Sequence, residues 1–369
     1  MRNFLKHDID TIFVMLGHEC NLQCKYCLQH DVVNVALGKN INPDIYNFIG
    51  ETARGQDTPL TLQFYGGEPL VFWDNIVKIV KEMNSRNTGG NLRFSMITNG
   101  KLITEDKIDF LNEHFKNVTI SWDGRNSDIT RGFNAFKANK ENIFKLKNFG
   151  ISGVMSAYNY ILDYLEDVEE VNRDYVENYG GRTIGCNVDD LLDVNLVNKD
   201  LKEFDYSKVY GQMNELCEQY LNYVGGEPLS VIKVRYIEQK IEHIRNSIRF
   251  KHYAPLRDRC GNGCEVLNLD LDGNLYKCHN TDKKVGTIYD NYFDVMKNVF
   301  ALDKVEENAE ICDGCPVQLM CMNGCPLVGE EARKEFYCTM LNLMNYPIMK
   351  LVTELGDLSE WNNNSNEIH

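Results

Sequence analysis

Residues 11–30 read TIFVMLGHECNLQCKYCLQH, and the predicted fold starts from this stretch. Its apolar first part is typical of a buried strand, and a polar loop with three cysteines follows directly. These cysteines, Cys20, Cys24 and Cys27, have C-x3-C-x2-C spacing. Three thiolates so close together can hold three irons of an iron–sulfur cluster and leave a fourth iron open to another ligand. The stretch therefore predicts a strand followed by a loop that binds a reactive metal cluster.

Short apolar runs alternate with longer amphipathic runs as far as residue 187. The candidate strands are residues 11–17, 60–65, 92–97, 118–122, 151–157 and 183–187. The candidate helices are residues 42–52, 74–85, 105–115, 133–149 and 160–179. Because a parallel pair of strands needs a crossover helix, residues 1–187 are predicted to form an α/β domain, a partial (β/α)6 barrel. In such folds ligands bind at the C-terminal ends of the strands.

The rest of the chain changes character. Residues 188–258 combine a polar linker with two amphipathic runs, 206–224 and 229–250, and are expected to form a helical bridge. Residues 259–340 contain many cysteines and few apolar residues, so this region needs metal or covalent links to fold. Residues 341–369 are expected to form a closing helix, up to residue 358, and a disordered tail.

Composition limits the classes of function. The chain has 369 residues and a formal net charge of −15, which argues against nucleic acid or an anionic membrane as partner. No stretch approaches the roughly 18 apolar residues that a membrane helix needs, and no secretion signal is present. We therefore expect a cytoplasmic location. In a reducing compartment, 13 clustered cysteines favour metal ligation over disulfides.

Several motifs together resemble the signature of radical S-adenosylmethionine (SAM) enzymes. The first is the C-x3-C-x-aromatic-C loop, and others follow at the ends of successive candidate strands. Asp128 and Arg131 match part of an H-D-x-x-R pattern in which Ser127 replaces the histidine. The resemblance implies that Ser121 and Arg131 hold the SAM carboxylate. The residues expected to bind SAM are Tyr26, Gly66, Gly67, Glu68, Asn99, Ser121, Asp123 and Arg131.

The second set of cysteines resembles the SPASM extension of radical SAM enzymes, a small cysteine-rich α+β domain with two auxiliary [4Fe-4S] clusters. By resemblance, Cys260, Cys264, Cys278 and Cys325 would hold the nearer auxiliary cluster. Cys312, Cys315, Cys321 and Cys338 would hold the outer one. The expected cofactors are therefore three [4Fe-4S] clusters and SAM. Cys186 and Cys217 are left over, one in a candidate strand and one in a candidate helix.

Zinc is the alternative metal at both places. His18 or His30 could complete a structural zinc site with the first three cysteines. Four-cysteine zinc sites have spacings similar to those of the second set, so two zinc ions could replace the two auxiliary clusters.

In layout the chain most resembles anaerobic sulfatase-maturating enzymes, which oxidise a serine or cysteine of a protein to formylglycine. Many of them have an aspartate after the third SPASM cysteine, proposed as the catalytic base. Here His279 follows Cys278, so His279 is the candidate base, with Asp282 as a weaker one. About ten residues precede the first candidate strand, so no fused leader-binding domain is expected.

The resemblance thus implies a radical SAM oxidoreductase that modifies a side chain of a peptide or protein. The product would be a thioether or carbon–carbon crosslink or formylglycine, and flavodoxin or ferredoxin would supply electrons. Radical dehydrogenation of a small alcohol such as a sugar or aminocyclitol is one alternative. A non-catalytic metal-cluster scaffold is another.

Overall fold

A computed structural model describes residues 9–29, 40–55, 57–86, 91–192, 199–249, 265–302, 309–312, 314–321 and 324–355. The chain divides into two compact units. The first unit comprises Met1–Gly153 and Cys260–Val305, and the second comprises Val154–Arg259 and Glu306–His369. The domain bounds expected from the sequence stay a prediction. None of the helices among the described residues has both the length and the apolar character that a membrane crossing requires.

The strands are β1 (Thr11–Met15), β2 (Leu60–Tyr65), β3 (Leu92–Thr98), β4 (Phe115–Ser121), β5 (Phe149–Val154), β6 (Gly185–Asp189), β7 (Val266–Asp270), β8 (Asn274–Tyr276) and β9 (Lys284–Thr287). The helices up to residue 249 are α1 (Asp44–Gly55), α2 (Trp73–Ser85), α3 (Glu105–His114), α4 (Ser127–Arg131), α5 (Ala135–Ala138), α6 (Lys140–Ile143), α7 (Ile161–Tyr179), α8 (Lys199–Lys202), α9 (Tyr206–Val224) and α10 (Val231–Arg249). The later helices are α11 (Tyr292–Leu302), α12 (Ala309–Cys312), α13 (Gln318–Cys321), α14 (Glu330–Ala332) and α15 (Cys338–Glu354).

The first unit is built on a sheet with strand order β5-β4-β3-β2-β1-β7-β8-β9. Strands β1 to β5 and β7 pair in parallel, whereas β8 and β9 pair antiparallel. Val14 of β1 pairs with Phe64 of β2 on one side and with Leu269 of β7 on the other. The predicted α/β class with a parallel sheet is confirmed, and the sheet is consistent with a partial barrel. The pairing of β7 with β1 was not anticipated from the sequence.

The core of this sheet follows the strand period of two. In β2, Leu60, Leu62 and Phe64 are completely buried, and the residues between them are partly exposed. The Phe64 ring lies 6.3 Å from Phe94 and 5.8 Å from Phe115, measured between centroids. Alternation of this kind buries one face of a strand against the helices that cross over it.

The predicted helix over residues 133–149 is wrong. The structure has two short helices, α5 and α6, and the next strand begins at Phe149. Asn139 separates the two helices, and its side-chain amide donates to the carbonyl oxygens of Gly100 (2.8 Å) and Ile103 (2.9 Å). An asparagine side chain that bonds to distant backbone in this way competes with continuous helix.

The second unit is mainly helical. Helix α9 packs against α7, α10 and α15. Helix α9 coincides with the predicted run 206–224, and α10 lies within the predicted run 229–250. Helix α15 starts three residues before the predicted closing helix, and a π-helical turn, Arg333–Tyr337, leads into it. The tail expected to be disordered lies outside the described residues.

Phe64→Ala is expected to destabilise the first unit strongly, because it removes a completely buried ring between two others. Substitutions of this type cost about 3–5 kcal/mol of unfolding free energy. The matched control is Phe293→Ala, because the Phe293 side chain is 72% exposed. Urea unfolding of the full chain measures both variants. Equal effects of the two substitutions would contradict the assignment of Phe64 to the core.

Candidate functional site

The three cysteines of the first motif lie on the loop after β1. Cys20 is exposed, and Cys24 and Cys27 are partly buried. Burial is the main cause that raises the pKa of Cys20 and of Cys24, the latter to about 11, and the neighbouring thiols raise both further. The thiols thus affect one another's pKa, and three thiols are the kind of donor set that an iron–sulfur cluster takes. In the described part of the chain, no three histidine, cysteine, aspartate or glutamate side chains are placed to hold a metal ion.

Two glycines after β2 allow the backbone of this loop to approach closely. Gly66 has φ of +136°, and a Cβ atom on it would lie 2.3 Å from the carbonyl oxygen of Gly17. A Cβ atom on Gly67 would lie 2.4 Å from the carbonyl oxygens of His18 and Glu19. Backbone hydrogen bonds run across this contact, from Gly67 N to Gly17 O at 2.8 Å and from Glu68 N to Glu19 O at 2.9 Å. Only glycine fits such positions.

Glu68 links the ends of β2 and β3. Its side chain is 1% exposed, and its carboxylate accepts hydrogen bonds from Thr98 Oγ1 (2.6 Å), Asn99 N (2.8 Å) and Leu70 N (3.0 Å). Burial raises the pKa of Glu68, and these hydrogen bonds oppose the rise. Asn99 in turn donates to Asn21 Oδ1 at 2.8 Å. Glu68 therefore holds Asn99 against the cysteine loop through protein donors.

Tyr26, Asp123 and Arg131 form one hydrogen-bonded group. The Tyr26 hydroxyl donates to Asp123 Oδ2 at 2.6 Å, and Arg131 Nη1 donates to the Tyr26 hydroxyl. Asp123 is completely buried and also accepts from Thr130 Oγ1 at 2.6 Å. Burial lowers the pKa of Arg131, but Tyr26 and Asp123 outweigh it and raise this pKa above the ordinary value. The guanidinium is therefore a fixed positive charge.

Arg131 Nε is the unusual atom of this group. It is buried, and no described residue accepts a hydrogen bond from it. The Asn21 amide nitrogen is in the same condition. Buried donors normally have partners, so unpaired ones mark a place where a bound group completes the site. A guanidinium beside thiols suits the carboxylate of a ligand.

The remaining predicted SAM-contact residue, Ser121, and the other residues of the H-D-x-x-R pattern occupy more ordinary positions. Ser121 is the last residue of β4 and pairs with Ser152 of β5. Ser127, which stands where the pattern has histidine, accepts from Asp123 N (2.8 Å) and donates to Gly124 O (3.0 Å). Asp128 is exposed, with an ion pair of 3.3 Å to Lys137. Asp128 therefore does not join the group around Arg131.

Gln29 is a site residue that sequence reasoning missed. Its side chain is 5% exposed and donates to His279 O (2.8 Å) and to Asn280 Oδ1 (2.7 Å). His18 Nδ1 lies 2.9 Å from Gln29 Oε1. Gln29 thus links the cysteine loop to the segment after Cys278. The sequence indicated this role only through a polar residue two positions after Cys27.

His279 lies between two aromatic rings. It stacks on Phe13 at 4.3 Å and meets the edge of Tyr65 at 4.5 Å, and burial lowers its pKa to about 4. His279 Nδ1 is 3.2 Å from Asn268 Oδ1, while Asn268 Nδ2 donates to two backbone carbonyls. This arrangement assigns the oxygen of Asn268 to His279, so Nδ1 carries the proton and Nε2 keeps a lone pair.

The second set of cysteines is only partly described. Cys260 and Cys264 lie outside the described residues, and Cys278 follows β8 in the first unit. In the second unit, Asn342 Nδ2 contacts Cys315 Sγ (3.9 Å) and Cys338 O (2.8 Å). Burial chiefly raises the pKa of Cys338, and Cys312 and Cys315 raise it further. The structure thus brings Cys312, Cys315 and Cys338 together.

The other cysteines of the second unit lie on separate elements. The Cys321 thiol, in α13, donates to Gln318 O at 3.7 Å, and Cys325 N donates to the Tyr337 hydroxyl at 3.1 Å. The two left-over cysteines are in the predicted element types, Cys186 in β6 and Cys217 in α9. Burial raises the pKa of each of these two thiols to about 12. The division of the second set between two clusters stays a prediction.

Comparison with known proteins shows similarity to radical SAM proteins over part of the chain. The sequence profile of the Radical SAM superfamily matches residues 14–175. The chain is 24% identical over 230 residues to the radical SAM cyclopropyl synthase TigE of Paramaledivibacter caminithermalis, a match that covers 58% of this chain and 47% of that protein. It is 25% identical over 350 residues to a cysteine-type anaerobic sulfatase-maturating enzyme of Clostridium perfringens, with coverage of 83% and 85%. The chain spans about half the length of the first curated relatives that it matches, 47% and 56%.

Solved structures share the fold. Native anSMEcpe with bound AdoMet superposes with a TM-score of 0.66 at 20% identity and covers 94% of this chain and 99% of that one. Streptococcus suis SuiB bound to precursor peptide SuiA gives a TM-score of 0.57 at 15% identity, with coverage of 88% and 73%.

Gly67→Ala is expected to lower the iron bound per chain after anaerobic reconstitution, because the new Cβ would push the backbone of the cysteine loop away. Gly185→Ala is the matched control, since a Cβ atom there meets nothing within 4 Å. Iron analysis and the melting temperature are measured for both. Full iron content in Gly67→Ala would show that the loop does not depend on this contact.

Proposed function

Because the chain contains a radical SAM domain, over residues 14–175, we propose that it is an oxidoreductase that modifies a side chain of a peptide or protein. The observation that carries the proposal is the meeting of three neighbouring thiols with the buried, incompletely paired guanidinium of Arg131. The cytoplasmic location expected from the sequence is part of the same proposal.

Cys20, Cys24 and Cys27 would hold the first cluster, since their chemistry fits thiolate ligation. When bound, the [4Fe-4S] cluster and SAM supply an electron and a 5′-deoxyadenosyl radical that abstracts hydrogen from the substrate. The thiols of Cys20 and Cys24 have raised pKa values in the free chain, and they must release their protons as the metal binds. Reconstitution should therefore proceed more completely at mildly alkaline pH than at neutral pH.

Arg131 would bind the carboxylate of SAM through Nε. Tyr26 and Asp123 hold the guanidinium from the other side, so its orientation is fixed before the ligand arrives. Pre-orientation of this kind lowers the entropy that binding costs. Asn99, held by Glu68, and the backbone at Gly66 and Gly67 would complete the amino-acid end of the site.

His279 would accept a proton from the substrate at Nε2. With a pKa of about 4 the imidazole is neutral at pH 7, and Asn268 orients it through Nδ1. A base needs its lone pair free and directed, and orientation by a neighbouring amide provides this. Gln29 holds the same segment from the cysteine loop, so the base and the first cluster share one support.

The two auxiliary clusters belong to the proposal as well. Cys260, Cys264, Cys278 and Cys325 would hold one, and Cys312, Cys315, Cys321 and Cys338 the other. Fully ligated clusters can accept the second electron that an oxidised product must lose. Flavodoxin or ferredoxin would reduce the first cluster.

The peptide substrate is supported by the relatives. One similar structure holds a Kp18Cys peptide and another holds the precursor peptide SuiA, and the sulfatase-maturating enzymes named above act on proteins. The net charge of −15 favours a neutral or basic peptide by long-range attraction.

Cys24→Ala should abolish release of 5′-deoxyadenosine from SAM by the reduced, reconstituted protein, because the cluster loses one of its three ligands. Cys217→Ala is the control, since that thiol is buried in α9 and is not assigned to any cluster. Chromatography of the anaerobic reaction measures the product. If Cys24→Ala released 5′-deoxyadenosine at the wild-type rate, the assignment of Cys24 to the first cluster would be wrong. If the wild type released none, the proposed radical chemistry would be wrong.

Cys315→Ala should lower the iron content by about four atoms per chain, the content of one [4Fe-4S] cluster. Release of deoxyadenosine should persist, because the first three cysteines are intact. Iron analysis and Mössbauer spectra distinguish the two effects. If the wild-type protein contained zinc instead of these four iron atoms, the proposed outer cluster would be wrong.

A further inference from the structure

The second unit contains a cavity of ≈ 40 Å³, which we call the α10 cavity. Its wall includes Tyr236, Lys240 and His243 of α10 together with Asp189 and Asp190 at the end of β6. A cavity of this size holds a few water molecules or the end of one side chain. Asp189 and His243 are exposed at its rim, so the cavity is accessible from solvent.

Tyr236 is the residue that points to a ligand. Its side chain is 3% exposed, and its hydroxyl has no hydrogen-bond partner although it is buried. A buried hydroxyl without a partner costs free energy, and native proteins rarely leave one in that condition. A bound group that donates or accepts a hydrogen bond would satisfy it.

The charges around the hydroxyl favour a cation. Two carboxylates, Asp189 and Asp190, face one ammonium, Lys240, whose Nζ lies 5.5 Å from the centre of the Tyr236 ring. Burial chiefly raises the pKa of Tyr236, and Asp190, Cys186 and Cys217 raise it further. The two thiols are uncharged at neutral pH, so Asp190 is the negative charge that acts on the hydroxyl, and it disfavours an anionic ligand and favours a positive one.

The rest of the wall suits an aliphatic stem. Met155 and Met320 are buried, and Met344 is partly exposed beside them. Unbranched thioether side chains adapt to ligands of different shape. A long side chain with an apolar stem and a cationic end therefore matches both parts of the cavity.

The cavity borders one of the four cysteines that are assigned to the outer cluster. Of the four cysteines assigned to that cluster, Cys321 borders the cavity, whereas Cys312, Cys315 and Cys338 are not part of its wall. Those three are grouped around Asn342 and one another.

We propose that the α10 cavity binds a lysine or arginine side chain of the peptide substrate. The Tyr236 hydroxyl accepts a hydrogen bond from the cationic group, Asp190 compensates its charge, and the methionines contact its stem. The inference rests on the proposed function, because it takes the ligand to be part of a peptide.

The test is isothermal titration calorimetry of the full chain with Nα-acetyl-arginine amide and its neutral isostere Nα-acetyl-citrulline amide. The arginine probe should bind saturably, and the citrulline probe at least roughly tenfold more weakly, since hydrogen bonds to charged groups are the stronger class. Tyr236→Phe should weaken arginine binding by a similar factor, and Asp190→Asn should reduce the preference for arginine over citrulline.

Tyr220→Phe is the matched control, because Tyr220 of α9 is equally buried, at 2% exposed, and does not line the cavity. It should leave arginine binding unchanged. The melting temperature of Tyr236→Phe should equal or exceed that of the wild type, since the variant removes an unpaired buried hydroxyl. This second measurement shows that the variant is folded.

Three results would overturn the inference: no saturable binding of the arginine probe, equal affinity for both probes, or unchanged binding in Tyr236→Phe. Tighter binding of agmatine, which has the guanidinium but no peptide bonds, would overturn the peptide source of the ligand. The titrations contain neither SAM nor reductant. Their failure is therefore distinct from failure of the proposed function, which the release of deoxyadenosine tests.

Discussion

The close backbone contact between residues 17–19 and the Gly66-Gly67 pair is the constraint on which the candidate site depends. Carbonyl oxygens of the cysteine loop occupy the space that side chains at positions 66 and 67 would fill. Because the contact is made by backbone on both sides, it fixes the loop in relation to β2 without any flexible group between them. The three thiols and Tyr26 belong to the loop that this contact fixes, and Glu68 directly follows the glycine pair. Any side chain at either glycine would displace the backbone of this loop.

Buried charge is organised differently in the two parts of this site. The Glu68 carboxylate accepts hydrogen bonds from three protein donors, and these bonds hold the ends of β2 and β3 together. Arg131 is held by Tyr26 and Asp123 but keeps one buried donor unpaired. A satisfied buried charge gives rigidity, whereas a rigidly held and incompletely paired one gives binding capacity. The sequence motif contains both residues and does not distinguish these roles.

Sequence periodicity correctly predicted the elements whose pattern of apolar residues lies within one continuous run. Helix α9 and strand β2 were placed at their observed bounds, because the periods of 3.6 and of 2 are visible within a single run of residues. The predicted helix over 133–149 failed because the Asn139 amide bonds to the segment around residue 100, which no local pattern records. The pairing of β7 with β1 joins residues about 255 positions apart in the sequence. Periodicity within a short run of residues cannot predict such a pairing.

The candidate site shows the same division between local and long-range information. The cysteine loop is contiguous, so its spacing alone indicated the chemistry. Gln29 acquires its role through hydrogen bonds to residues 279 and 280. Tyr236 acquires its role because its hydroxyl lacks a partner in a wall built from five separate segments. Sequence identifies residues whose side-chain chemistry is rare, such as clustered thiols. Common residues such as glutamine and tyrosine indicate a site only when folding buries them. A buried polar group without a hydrogen-bond partner raises the free energy of the folded protein, so each such group needs a partner. Buried polar atoms that lack a protein partner therefore mark binding groups that no sequence motif indicates, and Arg131 Nε and the Tyr236 hydroxyl are two such atoms among the described residues.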